Sequence, residues 1–144
     1  MVGEHGTTEV ILWSSVRVAG TPLGDVLRAA GRRPSFEELR QRIEREVRFA
    51  NIAIIEGNGA SQFGIGVACA RITEAILRDE RIVLPVAAYR ERHAVTIALP
   101  TVVGRDGAMG ELRPSIVDDE RRAFEHSAAT LREAVRAIGA YVDS

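Results

Sequence analysis

The chain has 144 residues, of which 46% are hydrophobic, and a formal net charge of -1. That is the size of one domain, able to bury about two thirds of its unfolded surface. The balance excludes an intrinsically disordered chain and a basic nucleic-acid face. All 19 basic side chains are arginine, a bias that carries no functional weight here. A single cysteine, Cys69, rules out an intrachain disulfide, and its place in an apolar helical run predicts a buried, inert thiol. No apolar run reaches the ~20 residues needed to span a bilayer. The opening MVGEHGTTE lacks the basic and apolar regions of a signal peptide, so a cytoplasmic location is expected. One cysteine and three scattered histidines make no metal constellation.

In chain order, Met1-Val2 reads as the tail of a strand, followed by Gly3-Glu4-His5-Gly6-Thr7-Thr8 and the apolar Val10-Ile11-Leu12-Trp13. His5 lies between an acid and a glycine on a tight loop. An imidazole with an ordinary pKa of ~6.5 can give and take protons near neutrality, although a solvated loop histidine would look the same. Pro22 fits the first turn of a short helix running to about Ala30, and residues 31–34 read as a loop.

Two long helical patterns then meet at Gly57-Asn58-Gly59-Ala60-Ser61. In the first, Phe36, Leu39, Ile43, Val47, Ala50 and Ile54 recur at helical spacing. Ser35 and Glu38 form a capping box at its start, and Gly57 and Gly59 mark its end. Its opposite side mixes Arg40, Arg42, Arg45 and Arg48 with Glu37, Glu38, Glu44 and Glu46, as a solvated face does. Ser61 can cap the second helix, SQFGIGVACARITEAILRDE. Its first half is free of charge, which predicts burial on most sides. Gly64 and Gly66 each cost a helix about 1 kcal/mol relative to Ala, which suggests close approach of a neighbouring backbone or a ligand.

The segments 82–89 and 95–103 are β-rich, and the polar Arg90-Glu91-Arg92-His93 joins them as an antiparallel pair. Pro85 and Pro100 each remove a ladder donor and should occupy edge or bulge positions. His93 is expected in solvent. Gly104 to Gly107 reads as a turn, and Gly110 to Arg113 as a third short strand. Ser115 and Asp118 suggest a second capping box, opening a last helix whose stripe Phe124, Ala128, Leu131, Val135 and Ile138 should pack on the sheet. The fold class is α+β: a mostly antiparallel sheet packed with long helices.

The order of these motifs is informative. Gly3-Glu4-His5-Gly6 is followed by Leu12-Trp13-Ser14-Ser15, Ile54-Ile55-Glu56-Gly57-Asn58-Gly59-Ala60-Ser61, Gly64-Ile65-Gly66, Ala70-Arg71-Ile72 and Ala128-Ala129-Thr130-Leu131. In order and approximate spacing the series resembles the C-terminal, substrate-binding half of the lactate/malate dehydrogenase family, with the L-lactate branch the closer match. The resemblance covers essentially the whole chain as a single domain, residues 1–144. It implies that His5 is the catalytic proton acceptor and donor, bonding the substrate's carbonyl or hydroxyl oxygen as hydride moves to or from nicotinamide. It implies that Ser61, where lactate dehydrogenases commonly carry Thr, lines the substrate pocket, and that the apolar Ile65 packs against the nicotinamide ring. Where the family motif continues with Asp, this sequence has Thr7.

The resemblance also implies NAD as cofactor, a small 2-hydroxy or 2-oxo acid as substrate, and a homo-oligomer, dimer or tetramer, with no nucleic acid or membrane partner. The Gly-rich strand-turn-helix that binds a dinucleotide is absent from these residues. Neither Gly57-Asn58-Gly59 nor Gly64-Ile65-Gly66 stands between a strand and a helix. The family's carboxylate-clamping arginine, histidine-orienting aspartate and mobile-loop arginine also belong to the dinucleotide-binding half. Such groups each supply several kcal/mol, so this chain alone is expected to be inactive and to bind NAD weakly at best. Two alternatives stand beside that reading: a non-catalytic assembly module on the same fold, and the corresponding half of a malate or other 2-hydroxy acid dehydrogenase. An exposed apolar patch beside the cofactor cleft would favour half an enzyme, and a polar surface there would favour the module.

Overall fold

The computed structural model describes residues 1–31 and 35–142, so residues 32–34 of the expected loop lie outside the described residues. A 3-10 turn at Trp13–Ser15 leads into the two-residue strands β1 (Arg17–Val18) and β2 (Thr21–Pro22). Helices α1 (Leu23–Ala29), α2 (Phe36–Arg48), α3 (Ala50–Asn58) and α4 (Gln62–Leu77) follow. Strands β3 (Ile82–Arg90), β4 (Val95–Gly104) and β5 (Gly107–Glu111) precede the terminal helix α5 (Asp118–Val142). β1 pairs with β2, and a separate antiparallel sheet has the order β3-β4-β5. The α+β expectation therefore holds.

β4 organises the interior. Alternation places Val95, Ile97, Leu99, Thr101 and Val103 on one face, and all five are buried. Val2, Val10 and Leu12 from the N-terminal segment and Phe124 and Ala128 from α5 pack with Val95, Ile97 and Leu99, while Ile116 and Leu131 close the margin. The N-terminal segment is stitched on by reciprocal bonds. Val2 N donates to Val10 O and Val10 N to Val2 O, both at 2.9 Å, and Gly3 N donates to Ala98 O at 3.0 Å.

The two prolines lie opposite one another, Pro85 with Pro100. Pro100 O accepts from Leu112 N at 2.8 Å, so the polar groups of residue 100 face β5. The proline pair is therefore a non-hydrogen-bonded one, and the Pro85 nitrogen points to the open edge of β3. Pro100 is on the central strand, against expectation, but it falls just past the end of β5, where its missing N–H costs only the reciprocal of the Leu112 bond. The third strand begins at Gly107 and not at Gly110, because Arg105 and Asp106 alone make the turn.

Several other local expectations shift. The Ser35–Glu38 capping box forms, with Ser35 Oγ accepting from Glu38 N and the Glu38 carboxylate from Ser35 N. The helix that it opens is broken at Phe49 (φ -110°). A three- and four-residue period survives a one-residue bend, so spacing could not reveal it. Ser61 stands at the N-cap of α4 without a side-chain capping bond. Helix α5 starts at Asp118, so Ser115 is not its cap. Instead the Ser115 carbonyl accepts from the Ser14 and Ser15 hydroxyls. His93 is nearly buried, edge-on to Phe124 at 5.1 Å, because the connection folds back onto α5. The stripe of α5 is covered only in its first half: Val135 and Ile138 are exposed.

Asp79 links the exit of α4 to the β4–β5 turn. Its carboxylate accepts from Arg105 N at 2.9 Å and lies 3.3 Å from the Arg81 guanidinium. The Arg105 amide, and then Arg81, hold its pKa below the usual 3.8. A depressed folded pKa means that ionised Asp79 stabilises the fold at pH above its unfolded value and ceases to do so as pH falls through the folded one. The stability difference between the parent chain and Asp79→Ala, read from urea midpoints, should accordingly be constant near neutrality and shrink on acidification below 3.8. In the interior, Ile97→Val should cost about 1 kcal/mol by the same assay, since Ile97 is 1% exposed.

Candidate functional site

The loop that carries His5 leaves the sheet at Gly3 and returns at Val10, whose strand bridges to Val2. Gly3 has φ +97°, in the region that favours glycine. A Cβ there would lie 2.6 Å from Ser127 Oγ, so a side chain is excluded by space as well as by backbone conformation. Ser127, on α5, is completely buried. Its hydroxyl accepts from Glu4 N at 2.7 Å and lies 3.3 Å from Thr8 Oγ1. Thr8 donates its hydroxyl proton to the Glu4 carboxylate, which folds back beneath Gly6. Both ends of the loop and the residue preceding His5 are thus held from β4, from α5 and from within. His5 itself is exposed. Thr7, in the place of the family's Asp, is also exposed.

Ser61 and Ile65 stand at the start of α4, one helical turn apart and so on one face. Both are exposed, Ile65 by 61%. Around them the expectation of burial fails. Every residue from 61 to 70 is exposed, including Phe63, Val67 and Cys69. A Cβ added at Gly64 or Gly66 would meet nothing within 4 Å, so among the described residues no backbone approaches them. The preceding helix is equally bare: Phe49, Ile52, Ile54 and Ile55 are all more than 40% exposed. The uncharged helix start that predicted burial on most sides is open among the described residues.

The three residues singled out are therefore held by different supports. His5 hangs from β4 and α5, while Ser61 and Ile65 ride on α4. A pocket of about 180 Å3 between the β3–β4 connection and α5 is lined by none of the three, and among the described residues no group of acids, cysteines and histidines could hold a metal ion. Ile65 and the open glycine flank could form one wall for a flat apolar ring. The donors that would hold a pyrophosphate are not found beside them, so the residues present fit one side of a nicotinamide and not the whole cofactor. Sequence reasoning missed Ser127, although it adjoins the Ala128-Ala129 motif. A run of small residues on a helix marks a close approach without naming what approaches.

Known proteins share this fold. The family model for the lactate/malate dehydrogenase alpha/beta C-terminal domain matches residues 1–142. The L-lactate dehydrogenase of Deinococcus radiodurans is 45% identical over 139 residues, 96% of this chain and 45% of that protein. That of Chloroherpeton thalassium is 43% identical over 138 residues, again 96% of this chain and 45% of the relative. Among solved structures, the minor L-lactate dehydrogenase from Enterococcus mundtii superposes with a TM-score of 0.86 at 30% identity, covering 95% of this chain and 44% of that one. A lactate dehydrogenase from a deep-sea metagenome library gives 0.84 at 33% identity, covering 92% and 43%. The chain spans less than half the length of these relatives. It belongs to the lactate/malate dehydrogenase family and corresponds to that family's alpha/beta C-terminal domain.

Proposed function

We propose that residues 1–144 are the substrate-binding and oligomerisation half of an NAD-dependent, L-lactate dehydrogenase-like oxidoreductase that interconverts a 2-hydroxy acid and a 2-oxo acid. The observation that carries the reading is the pairing of an exposed, firmly anchored His5 loop with a bare apolar helix start bearing Ser61 and Ile65. An assembly module that had lost its chemistry would be expected to have a polar surface there. Exposure of Phe63, Ile65 and Val67 favours a half-cleft awaiting a second domain.

In this reading His5 donates a proton to the carbonyl oxygen of a 2-oxo acid during reduction and takes it back from the hydroxyl during oxidation. Bound NAD supplies the hydride or accepts it. Ser61 offers its hydroxyl to the substrate from the N-terminus of α4, and Ile65 gives the nicotinamide an apolar wall. The clamp for the substrate carboxylate and the group that orients His5 belong to a dinucleotide-binding domain, so the 144 residues alone neither turn over nor hold NAD tightly. The enzyme works in the cytoplasm. Lactate is the preferred substrate class because the L-lactate dehydrogenases are the matching relatives.

Helix α3 carries Ile52, Ile54 and Ile55 on several sides with Glu56 as its one charged residue, a composition proper to a largely covered helix, yet every residue of it is exposed here. That supports a homo-oligomer in which α3 and the start of α4 are covered by a second subunit or by the other domain.

Purified alone, the chain should show no NADH-dependent reduction of pyruvate. Supplied with a dinucleotide-binding domain of the family it should gain turnover, which His5→Asn then lowers by about 100-fold or more. Turnover by the chain alone, or an active His5→Asn enzyme, contradicts the proposal. Light scattering should find self-association that rises with concentration and is suppressed by Ile52→Glu with Phe63→Glu. A parent chain that stays monomeric at all concentrations would contradict the oligomer.

A further inference from the structure

We infer that Ser127, on a helix 122 positions further along the chain than His5, is a positioning residue for that imidazole; the inference rests on the proton-transfer reading above. The loop between Gly3 and Thr8 has few ways to be rigid. It is exposed at His5 and Thr7, and glycines on either side of Glu4-His5 leave its backbone free. One bond at its base ties the Gly3–Glu4 peptide, one residue before His5, to the core: Glu4 N–H to Ser127 Oγ at 2.7 Å. Its acceptor is shut off from water, because Ser127 is fully buried, so loss of this bond would leave a polar group at the base of the loop without its partner, which is costly. Gly3 makes the contact possible, since any side chain there would occupy the place of the hydroxyl.

Ser127 Oγ also lies 3.3 Å from Thr8 Oγ1, and Thr8 in turn binds the Glu4 carboxylate. The serine hydroxyl is therefore the point where both limbs of the loop meet α5. Fixing the backbone one residue before an imidazole limits the arc that the ring can sweep. Proton transfer demands such restraint, because rates fall steeply when reacting groups are misplaced. A serine suits the role by size as well as by chemistry: alanine has no acceptor, and a larger residue meets Gly3.

Amide exchange and ring relaxation by NMR on the 144-residue chain test the assignment without substrate or cofactor. In the unaltered chain the Glu4 amide should be protected like that of Gly3, which donates to Ala98 O. Ser127→Ala should speed Glu4 exchange about tenfold or more and give the His5 ring greater mobility, with the amides of Ile97 and Val103 unchanged. Thr8→Val, which removes the neighbouring hydroxyl but leaves Ser127, should keep the Glu4 amide protected and the ring restrained. An unprotected Glu4 amide in the parent, an unchanged His5 ring in Ser127→Ala, or a loosened ring in Thr8→Val overturns the inference. If Ser127→Ala fails to fold, the parent and Thr8→Val readings decide. In a form of the protein that reduces pyruvate, Ser127→Ala should lower kcat far more than it raises KM. If no form reduces pyruvate, the dehydrogenase reading falls while the exchange data still judge Ser127.

Discussion

The buried face of β4 is the constraint on which the rest of this structure depends. Val95, Ile97 and Leu99 receive the N-terminal segment through Val2, Val10 and Leu12, and the terminal helix through Phe124 and Ala128. At roughly 25 cal/mol per Å2 of apolar surface removed from water, this shared burial is what holds chain regions more than a hundred residues apart against each other. The Gly3–Ala98 bonds and the Ser127 hydroxyl then turn proximity into position. His5 is exposed on a loop, yet the loop is footed on the best-packed part of the molecule.

The helices that carry Ser61 and Ile65 have the opposite character. Helix α3 and the first turns of α4 carry Phe49, Ile52, Ile54, Ile55, Phe63, Ile65 and Val67 in the open. An exposed apolar surface of that extent is a mark of a docking face. The polar anchoring of the histidine loop is internal to this chain, whereas the apolar helix faces lie open. Under the proposed function that division suits half of an enzyme: chemistry fixed in one piece, enclosure completed by assembly.

Much of this was legible in the residues. The Ser35 cap, the alternation along β4 and the Gly57–Ser61 junction are written in local spacing, and the ordered motifs carried the family. What remained illegible depends on contacts that spacing does not encode. Apolar character in α4 predicted burial, but spacing does not say whether this chain supplies the cover, and Cys69 and Phe63 are exposed. His93 was expected in solvent because its neighbours are charged, yet the turn folds it onto Phe124. Ser127 looks like any small helix residue until the chain is folded and a glycine from the far end arrives against it.

The central claim is that His5 and Ser61 flank one bound oxo acid. The most direct measurement is a crystal structure of this chain together with a dinucleotide-binding domain, NAD and a 2-oxo acid analogue. The account predicts an imidazole nitrogen and the Ser61 hydroxyl both within hydrogen-bond reach of the same ligand, about 2.6–3.2 Å, with Ile65 against the nicotinamide. A ligand bound away from either group, or the two groups on opposite sides of the assembled molecule, would contradict it.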